Sequence, residues 1–154
     1  GDGIMYILAK RLKDKDMLEN NSVVATVMSN SGLSKALGDA GIDCITTDVG
    51  DRFVYEKMQQ GNYNIGGEHS GHIILKKYAT TGDGLLTAIM IAEEMCDRKT
   101  SLSKLAEPVM MYPQYLVNLR VKDKDAAVSD LAVLDVVKEV EKLAGGDGSG
   151  RVQR

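Results

Sequence analysis

Between residues 66 and 72 the chain reads Gly66-Gly67-Glu68-His69-Ser70-Gly71-His72. One carboxylate, one hydroxyl and the only two histidines of the protein fall inside seven residues, three of which are glycine. Glycine lets a backbone bend sharply and approach a ligand closely. Short apolar segments flank the stretch, 63–65 before it and 73–75 after it, so it reads as a tight connection between two strands. Glu68, Ser70 and His72 alternate along the chain, and period-two geometry would turn them to one side. A carboxylate accepts from two neighbouring hydroxyls and a serine both donates and accepts, so this trio suits a hydroxyl-rich ligand. The same residues also make an ordinary hairpin loop with a half-buried, hydrogen-bonded His72.

Those side chains need elements to hold them, and the apolar pattern supplies an alternation of strands and helices. A helix is expected over 4–13, with Ile4, Ile7, Leu8 and Leu12 on one face and Asp2 as its N-cap. The β-branched run 23–28 reads as a strand buried on both faces. A helix over 33–40 ends at Gly41, a strand follows over 42–49, and a helix over 52–60 carries Val54 and Met58 inward. After the glycine-rich stretch, Asp83 caps a helix over 84–98 with Leu85, Leu86, Ile89, Ala92 and Met95 apolar, and 102–106 adds a helical turn. Repeated strand, loop and helix is the grammar of an α/β fold, here a βαβ-based mixed sheet flanked by helices.

Prolines 108 and 113 bound a change of texture. Beyond it, 115–121 reads as a strand, 126–144 as an amphipathic helix through Val128, Leu131, Leu134, Val137 and Val140, and 145–150 as a flexible turn. The expected organisation is an α/β domain over 1–107 and the incomplete start of an α+β unit over 108–154.

In open α/β sheets ligands gather beyond the carboxyl ends of the strands. Three loops fall there and offer Ser29, Asn30, Gly50, Asp51, Arg52, Glu68, Ser70 and His72. The set suits a sugar, with Arg52 adding charge for a phosphate. Plain turn and capping chemistry also accounts for Ser29 and Asn30, and a helix-start acid followed by a solvated arginine accounts for Asp51 and Arg52. Thr80-Thr81-Gly82-Asp83-Gly84 lacks the lysine of a phosphate loop and the carboxylate spacing of a calcium loop, and reads as a helix cap. Lys122-Asp123-Lys124-Asp125 reads as a solvated turn. There is no nucleophile elbow, no carboxylate cluster for Mg²⁺ and no dinucleotide fingerprint, so no metal ligands are assigned within the chain.

The totals narrow the partners. With 154 residues, 44% hydrophobic and 27% charged, the chain can bury one good core. A net charge of −3, no Trp and one Phe offer neither a field nor a stacking surface for nucleic acid. No apolar run approaches the ~20 residues that cross a bilayer, so a membrane is not an expected partner either. Cys44 and Cys96 lie in apolar surroundings without metal-like spacing, and read as two buried, reduced thiols of a cytoplasmic protein.

Five ordered motifs carry a resemblance. Thr26-Val27-Met28-Ser29-Asn30, Val49-Gly50-Asp51-Arg52, Gly61-Asn62-Tyr63-Asn64, Gly67-Glu68-His69-Ser70-Gly71-His72 and Thr80-Thr81-Gly82-Asp83-Gly84-Leu85 resemble the third domain of the α-D-phosphohexomutases, and within them the bacterial phosphoglucosamine mutase branch. Tyr112-Pro113-Gln114 with Leu116-Val117-Asn118 is similar to the approach to that family's fourth domain. The resemblance implies that Glu68 and Ser70 bind sugar hydroxyls, that His72 assists proton transfer, and that Gly50, Asp51 and Arg52 help position the substrate. It implies interconversion of glucosamine 6-phosphate and glucosamine 1-phosphate, on the route to UDP-N-acetylglucosamine and cell wall. An active-site phosphoserine, Mg²⁺ and a sugar bisphosphate activator would serve that reaction, with nucleophile, metal loop and phosphate loop on the remaining domains of a longer parent. On that expectation the chain is a fragment, inactive alone. A phosphoglucomutase or phosphomannomutase of the same fold, and a non-catalytic sugar-binding module, are the alternatives. Position 69 is His where the branch usually has Gln.

Overall fold

In the computed structural model, residues 1–114 and 120–144 are described, apart from the side chains of Lys124, Glu141, Leu143 and Ala144. The order is α1 (Asp2–Asp14), a 3₁₀ turn (Glu19–Asn21), β1 (Ser22–Thr26), α2 (Ser31–Asp39), β2 (Asp43–Thr47) and α3 (Asp51–Gln60). There follow β3 (Ile65–Gly67), β4 (Ile73–Leu75), α4 (Gly84–Arg98), α5 (Leu102–Ala106), α6 (Lys124–Ser129) and α7 (Leu131–Ala144). The strands form one sheet in the order β2-β1-β3-β4, with β1 parallel to both its neighbours and β3 antiparallel to β4. The expected mixed α/β sheet is therefore present.

β1 sits inside the sheet and every residue of it is buried. Val23 and Ala25 enter the larger core with Met5, Leu8, Leu33 and Leu37, while Val24 points the other way onto Val54, Met58 and Ile74. Helices thus cover both faces, as an unbroken β-branched run requires. β2 lies at the sheet edge and is half-exposed.

Several local expectations are corrected by packing. Asp2 is not the cap of α1 but its first residue, and Gly1 takes the cap position. Asp2 is buried, and its Oδ2 accepts the Asn30 N–H at 2.8 Å, tying α1 to the start of α2. On α4, Leu85 and Ile89 face solvent, and the inward face is Leu86, Met90, Ile91, Met95 and the charged Glu94. The reason is Arg11 of α1, whose Nη1 donates to Glu94 Oε2 at 2.6 Å and to Asp97 at 2.9 Å. Burying that ion pair fixes the rotation of α4 about its axis, a choice that apolar spacing does not reveal. Cys96 consequently lies on the exposed side and Cys44 is half-buried, so the expectation of two buried thiols fails.

Gly1–Pro113 form one compact unit and Gln114–Arg154 a second. Residues 108–112 pack with the first: Val109 is buried, and the Tyr112 N–H bonds to Asn30. In the second unit the single helix expected over 126–144 is two helices. They break at Asp130 (φ −64°, ψ 125°), whose Oδ1 accepts the Ala132 N–H at 2.8 Å. Asp123 accepts the Ala126 N–H at 3.0 Å, so the charged run at 122–125 is a helix start rather than a turn. The strand expected over 115–121 and the turn over 145–150 fall mainly or wholly outside the described residues.

Candidate functional site

β1, β2 and β3 run in one direction, so the loops leaving Thr26, Thr47 and Gly67 lie along one edge of the sheet. The third loop closes onto the second. The Gly50 N–H donates to Glu68 Oε1 at 3.0 Å, and His72 Nε2 stands 3.5 Å from Asp51 Oδ2. Gly50, Asp51, Glu68 and His72 are therefore brought together at this edge.

The hairpin is tighter than a glycine count suggests. Gly66 and Gly67 belong to β3 rather than to the turn. A Cβ on Gly66 would lie 2.8 Å from Met58 Sδ and 2.9 Å from Val54 Cγ1, so the missing side chain lets α3 press onto the strand. The turn itself uses Gly71, at φ +104°, and closes through Glu68 N–H to His72 O and Gly71 N–H to Glu68 O, both at 3.0 Å. Because 68–72 is a turn and not a strand, period-two alternation does not apply to it. Glu68 and His72 lean to α3 while Ser70 stands exposed at the tip.

The other candidates divide. Arg52 is exposed and pairs with Glu56 at 2.8 Å, one turn on along α3; that bond raises its pKa further. Asn30, proposed from sequence as a sugar ligand, is corrected: it is 2% exposed, and its side-chain amide makes three hydrogen bonds inside the protein. Its Oδ1 accepts from Gly32 N–H and Tyr112 N–H, both at 3.0 Å, and its Nδ2 donates to Tyr112 O at 2.8 Å. Capping the start of α2 consumes the amide. Ser29 is half-buried, and its Oγ has no hydrogen-bond partner among the described residues.

Sequence reasoning missed three positions, Thr81, Gly82 and Gly1. Asp83 caps α4 as expected, accepting the Leu86 N–H at 2.9 Å, but the residue before it also enters the site. The Gly82 N–H donates to His72 Nε2 at 3.0 Å, and Thr81 Oγ1 lies 3.5 Å from the same atom. Gly1 abuts the hairpin as well: a Cβ there would sit 2.0 Å from Glu68 O. A glycine beside a capping aspartate was the only local signal for Gly82. Among the described residues, no group of three or more His, Cys, Asp and Glu side chains is arranged to hold a metal ion.

These features define a three-layer α/β/α domain presenting a carboxylate-bearing hairpin at the carboxyl edge of a mixed sheet. Residues 1–112 match the family model described as phosphoglucomutase/phosphomannomutase, alpha/beta/alpha domain III, and the chain belongs to that family. A phosphoglucosamine mutase from Lachnospira eligens is 51% identical over 148 residues, covering 96% of this chain and 33% of that protein. One from Shouchella clausii is 49% identical over the same length and coverage. N-acetylphosphoglucosamine mutase from Aspergillus fumigatus shares the fold, with a TM-score of 0.73 at 14% identity over 97% of this chain and 38% of that one. The chain spans about a third of the length of the curated relatives it matches. Among the described residues no helix is long and apolar enough to cross a membrane.

Proposed function

We propose that this chain is the sugar-recognition part of a phosphoglucosamine mutase, which interconverts glucosamine 6-phosphate and glucosamine 1-phosphate in the cytoplasm. The observation that carries the reading is the Glu68 carboxylate. Gly50 fixes one oxygen, and no described residue bonds the other. A half-buried carboxylate held by one oxygen is preorganised to accept from sugar hydroxyls with the second. Ser70 at the turn tip adds a donor and acceptor, His72 is the proton-transfer candidate, and Arg52 supplies a cation for phosphate. The names and identities of the two bacterial relatives support the choice of amino sugar.

On this reading a phosphoserine elsewhere in the whole protein passes its phosphoryl group to one sugar oxygen. The resulting bisphosphate turns over in the site, and the phosphoryl group on the other oxygen returns to the serine. A sugar bisphosphate thus serves as activator. Mg²⁺ belongs to the reading of the whole protein as well, and the described residues form no cluster of His, Cys, Asp and Glu that would hold it.

The test is a mutase assay on the full-length protein with glucosamine, glucose and mannose 6-phosphates, repeated for Glu68→Ala. Glucosamine 6-phosphate is the expected preference, and the substitution is expected to cost about 1–3 kcal/mol in kcat/KM by leaving hydroxyls unpaired. Unchanged kcat/KM would remove Glu68 from the site, and a preference for glucose or mannose would favour phosphoglucomutase/phosphomannomutase. The 154-residue chain assayed alone is expected to be silent; turnover by it would place the catalytic groups within these residues.

A further inference from the structure

His72 is held by a backbone group, and that decides which of its nitrogens carries the proton. The Gly82 N–H points at Nε2 from 3.0 Å. A ring nitrogen that accepts a hydrogen bond is unprotonated, so a neutral imidazole in this position carries its hydrogen on Nδ1. A neutral histidine free in water favours the opposite form. The donor is well placed: Asp83, the next residue, caps α4 and donates its own N–H to Ile73 O at 3.3 Å. A Cβ at position 82 would lie 2.7 Å from His72 Cδ2, Cε1 and Nε2, so any other residue there displaces the ring from the amide. The charged group facing the ring, Asp51, also addresses Nε2, as does Thr81 Oγ1, each at 3.5 Å. Nδ1 has no partner among the described residues.

We propose that the Gly82 amide locks neutral His72 as the Nδ1–H tautomer, so that His72 meets a ligand oxygen as a hydrogen-bond donor through Nδ1. The identity of the ligand rests on the sugar-phosphate reading above; the tautomer does not. The only lone pair of the neutral ring is already engaged by Gly82, so Nδ1 takes no proton from a sugar hydroxyl. Proton uptake happens at Nε2, requires release of the Gly82 N–H, and leaves the new N–H facing the Asp51 carboxylate. Gly82 is thus a positioning residue, and Asp51 is the partner of the charged ring.

The tautomer is read directly by long-range ¹H–¹⁵N correlation on the ¹⁵N-labelled chain at about pH 8, where imidazoles are neutral. With only two histidines, His69→Gln assigns the spectrum. The expected result is a pyrrole-like Nδ1 and a pyridine-like Nε2 for His72, against the ordinary mixture for exposed His69. A protonated Nε2, or the same mixture at both residues, would overturn the proposal. Gly82→Ala should shift His72 to the His69 pattern; retention of the Nδ1–H form in that variant would remove Gly82 as its cause. If Gly82→Ala does not fold, the unsubstituted chain still decides the tautomer. An unchanged kcat/KM in Glu68→Ala would sink the sugar reading and leave this result standing.

Discussion

The Gly50 N–H donates to Glu68 Oε1 at 3.0 Å and joins two loops that are 18 residues apart in sequence. Gly50 caps α3 with φ +131°, a backbone region that other residues enter only under strain. The amide that aims the carboxylate is thus available only because the position is glycine.

Gly50→Ala is therefore expected to lower stability by about 1–3 kcal/mol through backbone strain. In the full-length protein the same change should raise KM for the phosphosugar, because Glu68 loses its anchor. Urea unfolding and steady-state kinetics measure the two effects. Wild-type values in both would show that the cap tolerates a side chain and that the anchor is dispensable.

Asn30→Ala removes three hydrogen bonds from a residue that is 2% exposed. It strands the N–H groups of buried Gly32 and half-buried Tyr112, and the expected loss is about 2–4 kcal/mol. A shift of the urea midpoint measures it. A loss within experimental error would contradict the clamp between α2 and the segment ending at Tyr112.

Acid should unfold the chain through the ion cluster between α1 and α4. Arg11, with Lys15, donates to Asp97 and holds its carboxyl below the usual range. Lys10 does the same for Asp14; partial burial opposes it and Arg98 adds to it. A carboxyl whose folded pKa lies below its unfolded one stabilises the fold above the unfolded pKa, about 4. That contribution drains away as pH falls from there through the lower folded values. Arg11→Met should flatten the acid limb of a stability–pH curve. At neutral pH it should also cost ~3 kcal/mol, the low end for breaking a buried pair, since Arg98 still bonds Glu94. Superimposable curves for the two proteins would remove Arg11 from the account.

Thiol labelling of the native chain should be biphasic. Cys96 is exposed and should react quickly, whereas half-buried Cys44 should wait on local opening. Cys96→Ser should abolish the fast phase; its persistence would mean that Cys44 is the accessible thiol.

Much of this fold is legible in the chain because it depends on neighbours in sequence. An apolar, β-branched run between polar breaks announces β1, and the strand–helix alternation around it announces a parallel core. Asp83 three residues ahead of Leu86 announces the start of α4. The glycine-rich motif marks the turn between β3 and β4, since glycine and polar residues concentrate where backbones turn.

Local residue patterns dictate the order and type of the elements and the location of the polar loops. Tertiary structure decided which side chains remain free. Asn30 and Glu68 look equally available in one dimension; packing gives Asn30 to Gly32 and Tyr112, and leaves Glu68 an open oxygen. Gly66 reads as a turn residue until α3 is laid against it. Glu94 reads as a solvent residue until Arg11 draws it inward. Gly82 reads as part of a cap until the β3–β4 hairpin carries His72 to its amide. Periodicity reports only local geometry and the average burial of a face. The partners of a buried polar group come from distant segments, and they are settled when the sheet order and helix rotations close around them.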